Sequence, residues 1–465
     1  MAMLTLTAAA NPVDRATAQR VATTMMSLNG GSTELTDVTR QTTFTGFYIF
    51  TAGQGGFVIV SADDCVTPVL GFSTTATFDA KRIPANVYEV LEGYEQEIRY
   101  WTSQDGLMAN GDWQNLLTGT APEPVDPTAV APLLSTTWDQ DPYYNNLCPY
   151  DNTFSERTVT GCVATATAQI MKKWNHPTTG YGSHSYTASN SYSNYGTLSA
   201  NFGTTTYQWS TMPNALTSTS STAQVNAVAT LMYHIGIADE MNYDISAHGG
   251  SGASNYNYYG YVDVSSETSL QLYFKYRSDM AAIAREDYSN AQYIALLKAD
   301  LDAGRPILFS GRDTTAGHSF VCDGYNNSDM FHINWGWGGY YNGYFAMGAL
   351  NPDGGGTGSN TGAGSGSGAA CAKISLILGA SDDGVSSKSA SPDASDGSAS
   401  TCASDIFNRS LISCRSELSP AKSSSMISVT SRVSTGASTD SCAGSPLSSL
   451  FLRPAPRFIA LSRLS

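Results

Sequence analysis

The sequence predicts an α+β fold in two successive compact units, each packing helix against antiparallel strands. Three observations carry this reading. Apolar residues recur at helical spacing in both halves, strand-like runs follow the helices instead of alternating with them, and a proline-bearing joint, "APEPVDPTAVAP", separates the halves.

The first unit runs from residue 11 to about 105, or to 125 with the joint. "NPVDRATAQRVATTMMSLNG" has helical spacing and stops at Asn29-Gly30-Gly31. "FYIFTAGQGGFVIVSADD" reads as two strands joined by a glycine-containing turn. "IPANVYEVLEGYEQEIRYW" then sets Val87, Val90, Leu91, Tyr94, Ile98 and either Tyr100 or Trp101 along one helical stripe. The polar, proline-rich stretch that follows prefers solvated, extended conformations and is where a protease would cut.

The second unit covers residues 126 to 380. It opens with "LLSTTWDQDPYYNNLCPY", passes through the helical "TGCVATATAQIMKKW" and a Tyr/Ser/Asn/Gly-rich middle, and ends in the strand-like runs "PILFSGR", "HSFVCDGY", "MFHINWGW" and "GYFAMGAL". One helix packed on an antiparallel sheet is the expected result. From residue 381 serine makes up roughly a third of the chain and neither period persists, so this tail lacks the apolar surface to order itself. At the other end, residues 1 to 10 read as the remnant of a signal peptide without its basic start, which points to export.

Composition narrows the function. The formal net charge is -15, and the first 380 residues hold no Lys/Arg run, which argues against nucleic acid and anionic membranes as partners. No apolar run approaches the ~20 residues of a membrane span. The cysteines, Cys65, Cys148, Cys162, Cys322, Cys371, Cys402, Cys414 and Cys442, form no CxxC pair, which argues against zinc and against a dense disulfide framework.

Cys162 is the first residue that could carry chemistry. Gly161 permits a sharp turn before it, and a cysteine in the first turn of a helix feels unpaired N–H groups and the positive end of the dipole, both of which favour thiolate. The alternative is a small packed residue, and the segment alone leaves the two evenly balanced. A thiolate nucleophile calls for an imidazole that later protonates the leaving amine. His176 and His184 fall in a turn-rich segment, His234 in an apolar helix, His248 in a flexible glycine loop, and His332 reads as structural. His318, after a glycine at the start of an apolar strand, has the rigid setting the role needs. Asn334 follows it by sixteen residues, within a hairpin's reach, and its side-chain oxygen could fix the imidazole tautomer while Trp335 shields that bond. Gln140, in a loop upstream of Cys162, could donate to a developing oxyanion together with the Cys162 N–H.

These residues match a known family. "TGCVATATAQIMKKWNHP", "GHSFVCDGY", "FHINWGWGGYYNGYF" and "ALNP…GGGTG" resemble the streptopain family of secreted bacterial papain-like cysteine proteases, and "GGFVIVSADDCVTPVLGFS" with "IPANVYEVLEGYEQEI" is similar to its prodomain. The resemblance implies a papain-like catalytic domain behind a small α+β prodomain that blocks the active site until it is cleaved. It carries the nucleophile to Cys162, the general base to His318, the orienting and shielding roles to Asn334 and Trp335, and the oxyanion donor to Gln140. It also sets Ser251 and Gly252 at the wall of the S2 pocket. It implies no metal or organic cofactor, and protein or peptide substrates. A non-catalytic secreted binding protein on the same scaffold is the alternative. One departure stands out: "GTGSNTGAGSGSGAACAKISLILGAS" replaces the expected final strand, which leaves the C-terminal edge of the sheet in doubt.

Overall fold

The computed structural model describes residues 9–122, 124, 128–256, 264–278, 280, 282–312, 317–348 and 375–377. The serine-rich tail, and all but the last two residues of the expected signal remnant, lie outside the described residues.

The first helix, α1 (Arg15–Leu28), begins where the Asp14 carboxylate accepts from the Thr17 N–H, and it buries Ala18, Val21, Ala22, Met25 and Met26. Strands β1 (Leu35–Asp37), β2 (Phe47–Ala52), β3 (Phe57–Ser61) and β4 (Val69–Ser73) form an antiparallel meander. Gly55, at φ 95°, makes the β2–β3 turn read from the sequence. Helix α2 (Ala85–Thr102) buries Val87, Leu91, Tyr94 and Ile98, while Tyr100 is exposed, so Trp101 completes the stripe. Helix α3 (Asp112–Leu117) packs with α1 through Trp113 and Leu116.

The second unit starts with a short hairpin, β5 (Tyr150–Asp151) and β6 (Glu156–Arg157), followed by α4 (Cys162–Trp174). A longer hairpin, β7 (Ser183–Ser189) and β8 (Asn194–Asn201), leads to α5 (Thr222–Ala238) and α6 (Ser266–Tyr273). Then come β9 (Ala282–Ala284), α7 (Asn290–Asp302), β10 (Ile307–Arg312), β11 (Gly317–Tyr325), β12 (Met330–Asn334), β13 (Gly343–Ala346) and β14 (Ser375–Ile377). Capping boxes at Ser221, Ser265 and Ser289 start α5, α6 and α7.

The two units share one sheet. Its order is β1-β2-β3-β4-β13-β12-β11-β10-β14-β9, and β4 meets β13 with Phe72 opposite Tyr344 and Gly71 opposite Phe345. Side-chain alternation along β10 and β11 then separates two cores. Leu308 and Val321 face α4 and α5, whereas Phe309, Phe320 and Cys322 face a cluster that includes Leu91 and Tyr94 of α2 and Leu297 of α7. The doubt about the C-terminal edge is resolved at Ser375–Ile377: β14 lies inside the sheet, paired to both β10 and β9.

Candidate active site

The turn into α4 is built around Gly161. It sits at φ 85°, and a Cβ there would come within 2.7 Å of the Ser251 carbonyl oxygen, so no other residue fits without moving the backbone. The helix has no side-chain cap, which leaves its first N–H groups facing the loop that precedes Cys162. The Ser319 N–H donates to Cys162 Sγ at 3.4 Å. Burial pushes the thiol pKa up, against the N–H groups of Ser319 and Val163, which favour the thiolate. The helix start therefore supplies the donors expected of it, but in this covered state burial outweighs them.

Gln140 lies beside this turn. Its carbonyl accepts from the Thr160 N–H at 3.3 Å, two residues before the cysteine, and its own N–H donates to Asp139 Oδ1 at 2.7 Å. Burial raises the Asp139 carboxyl to about 6. Ser251 lies against the turn that precedes Cys162, its carbonyl facing Gly161. The Ser251 hydroxyl donates to the Val159 carbonyl at 2.6 Å and accepts from the Asp244 N–H at 3.0 Å, so it braces the wall, while Gly252 pairs with Asn242 through backbone bonds.

His318 stands second in β11, next to the residue that touches the sulfur. Its Nε2 lies 3.9 Å from Glu89 Oε1 of α2. Asn334 ends β12 opposite Val321. Its Oδ1 accepts from Gln169 Nε2 at 3.2 Å and from the Gly336 N–H at 3.1 Å, and its Nδ2 donates to the Thr136 carbonyl at 2.8 Å. Trp335 is fully buried, with its ring 4.7 Å from Phe320 and 5.2 Å from Phe345, centroid to centroid.

The other histidines have separate partners. His234 is buried, with Nδ1 3.1 Å from the Tyr207 hydroxyl, and His332 pairs with the buried Asp323 at 2.6 Å. His176 and His184 are half-buried, with His184 2.9 Å from Glu240. His248 departs from the flexible loop expected of it: Asp244 holds its Nδ1 at 3.0 Å, and the rings of Phe154 and Tyr192 lie 4.4 and 4.3 Å away.

Sequence reasoning missed two groups. Gln169, seven positions after Cys162 and thus on the same face of α4, is fully buried. Its Oε1 accepts from the Thr136 hydroxyl at 3.0 Å and the Trp138 N–H at 3.1 Å, so one side chain ties α4 to Asn334 and to the segment leading into Gln140. A lone amide among the small and apolar residues that open this helix was the signal. The second group is the start of α2. Asn86 Nδ2 donates to the Trp335 carbonyl at 3.2 Å, and its Oδ1 accepts from Trp337 Nε1 at 2.9 Å, which places α2 over the histidine and tryptophans of the site. Tyr94 and Tyr341 fasten the same junction through carbonyls of the opposite unit.

Comparison with known proteins shows the family. Residues 138–345 match the model of the peptidase C10 family, and residues 10–98 match that of the Spi protease inhibitor. The chain is 33% identical over 324 residues to streptopain from Streptococcus pyogenes, covering 67% of this chain and 76% of streptopain. The chain belongs to the peptidase C10 family. It is a cysteine peptidase preceded by an inhibitor-like unit. A second C10 relative, the thiol protease/hemagglutinin PrtT of Porphyromonas gingivalis, is 32% identical over 333 residues, and the chain spans 35% of its length. Among solved structures, a fragment of prointerpain A from Prevotella intermedia, a cysteine-to-alanine mutant, superposes with a TM-score of 0.57 at 30% identity, covering 74% of this chain and 97% of the fragment. Within the C10 chain, no described helix is long and apolar enough to cross a membrane.

Proposed function

We propose that this C10 peptidase is a secreted endopeptidase made as a zymogen, with Cys162 as nucleophile and the first unit as its own inhibitor. The observation that carries this is the convergence on one sulfur: Cys162 opens α4 behind Gly161, the residue after His318 donates to it, and α2 closes over the same place. Processing in the proline-rich joint, at a boundary between residues 120 and 131, frees the cleft.

In the freed enzyme the Cys162 thiolate attacks the peptide carbonyl. The Gln140 side-chain amide and the Cys162 N–H hold the oxyanion, and the imidazolium of His318 gives its proton to the leaving amine as the C–N bond breaks. His318 then takes a proton from water, the resulting hydroxide opens the thioester, and the thiolate and a carboxylic acid are released, the acid giving its proton to solvent. Asn334 orients the imidazole, Trp335 shields it, and Ser251 and Gly252 form the wall against which the residue before the scissile bond's P1 side chain lies. Solvent water is the only co-reactant, and the substrates are proteins or peptides.

The test is limited proteolysis of the full chain followed by a thiol-directed active-site label and a casein assay. Label on Cys162, with hydrolysis lost in Cys162→Ala, is the expected result. An intact fold that hydrolyses casein without Cys162, or that never takes the label, overturns the proposal.

A further inference from the structure

We propose that Ser319 and Asn255 form a brace that holds hydrogen-bond donors on the Cys162 sulfur and so keeps the nucleophile ionised on the acid side of the working range. This rests on Cys162 being the nucleophile. Ser319 touches the reacting atom, and Asn255 is a positioning residue that acts through it.

The sheet register makes the contact available. Strand β12 stops at Asn334, opposite Val321, so the residues of β11 before Val321 have no β12 neighbour in the ladder. Ser319 lies in that stretch, paired to β10 alone, and its N–H is spent on Cys162 Sγ at 3.4 Å.

Asn255 fixes Ser319 from the other side. The Ser319 hydroxyl donates to Asn255 Oδ1 at 2.9 Å, and Asn255 Nδ2 donates to the Phe309 carbonyl of β10 at 3.2 Å. One amide therefore bridges the two strands that carry the start of the histidine segment, in the register that sets Ser310 opposite Ser319. Both residues are 3% exposed. In so dry a place a hydrogen bond to a charged sulfur is stronger than at the surface, and the same dryness penalises a thiolate that lacks one. The serine hydroxyl has a single proton. It goes to Asn255, so the donor held on the sulfur is the Ser319 N–H, whose place this side-chain bond fixes.

Titratable groups stand on each of the elements that meet near this turn. His318 stands on β11, Glu89 on α2, Asp139 and Asp141 flank Gln140, and Asp244 and His248 lie on the loop that carries Ser251. Replacing Asn255 or Ser319 by alanine alters none of these charges. A shift in the ionisation of Cys162 in those variants therefore reports the donors and not the field.

The experiment uses the full chain cleaved by limited proteolysis, as wild type, Asn255→Ala, Ser319→Ala and the double variant. Alkylation of Cys162 by iodoacetamide is followed by mass spectrometry against pH, beside kcat/KM on a peptide substrate. The expected result is an alkylation midpoint raised by about one pH unit in each single variant, as for loss of one charge-assisted hydrogen bond. The double variant should shift no further than the singles, because the two residues act in series. On the acid limb kcat/KM falls about tenfold, and on the alkaline plateau it stays within about threefold of wild type. A loss that is equal at every pH, with the midpoint unmoved, overturns the brace and leaves a merely structural pair. If Asn255→Ala does not fold, Ser319→Ala decides alone, since it keeps the strand and its N–H: an unmoved midpoint there overturns the proposal. Casein hydrolysis that survives Cys162→Ala removes the nucleophile assignment and the brace together.

Discussion

Cys162 and Cys322 are both buried in the protease half, and burial pushes both thiols up, yet only one has the setting of a nucleophile. The difference lies in what reaches the sulfur. Cys162 is opposed to its burial by the N–H groups of Ser319 and Val163 at a helix start. Cys322 sits in the middle of β11 beside the carboxylate of Asp323, whose charge pushes its thiol further up, with only a backbone bond involving Gly324 against it. Burial alone makes a cysteine inert; a reactive one needs donors in place and a cover that can be removed. In the proposed function that removable cover is α2, which lies against Trp335, Trp337 and His318.

The largest effect that tests this contrast is the pair of alanine substitutions. Cys162→Ala should lower peptide hydrolysis by at least ~10⁴-fold, as loss of a nucleophile does. Cys322→Ala should leave kcat/KM within about threefold and cost roughly 1 kcal/mol in urea unfolding, because it removes one buried atom from a packed face. Activity that follows Cys322 instead would break the comparison.

The cover gives the next effect. In the uncleaved chain Asn86→Ala removes the bonds to the Trp335 carbonyl and the Trp337 indole. Alkylation of Cys162 should then rise about tenfold without proteolysis, since local opening becomes cheaper by about the worth of those bonds. An unchanged rate would mean that α2 is not what keeps reagents from the sulfur. Gln169→Leu comes third. It keeps the volume near native but cuts the link from α4 to Asn334 and Trp138, and kcat/KM should fall by roughly tenfold to a hundredfold with the cleaved enzyme still folded by circular dichroism.

The parts of the site that were legible in the sequence are those whose setting is local. Gly161-Cys162 announces a turn into a helix, and Gly317-His318 announces a rigid strand start. The α2 stripe was readable for the same reason, down to the choice between Tyr100 and Trp101, which needed the packing. What stayed hidden depends on pairs far apart in the chain. Nothing in Val69–Ser73 or Gly343–Ala346 says that these two edges meet, because an edge strand carries no mark of its partner beyond its alternation. Asn86 and Glu89 look like ordinary helix-start residues until α2 is laid over the site. Ser319 was read as part of an apolar strand, and its role exists only because β12 ends where it does.

The smallest effect extends the comparison from cysteines to histidines. His234, buried against Tyr207, is what a histidine becomes when its surroundings are dry and hold no counter-charge: burial lowers its pKa from 6.5 to about 4. The sign of its contribution to stability follows. Between about pH 6.5 and 4 the unfolded chain binds a proton at this site and the folded chain does not, so stability falls as pH falls through that window. Asp139, raised to about 6, and Asp239, raised to about 7, act in the opposite sense, since their folded forms hold protons that the unfolded chain has released. The melting temperature of the parent chain therefore reports a sum, and the His234 share appears only as a difference. His234→Gln, made in a Cys162→Ala background to prevent self-digestion, keeps a neutral polar partner for the Tyr207 hydroxyl. Its deficit relative to the parent at pH 7 should shrink steadily as pH is lowered to 4.5, by on the order of 2–3 kcal/mol in unfolding free energy. A difference that does not change with pH would mean that His234 takes up its proton as readily in the folded state as in the unfolded chain.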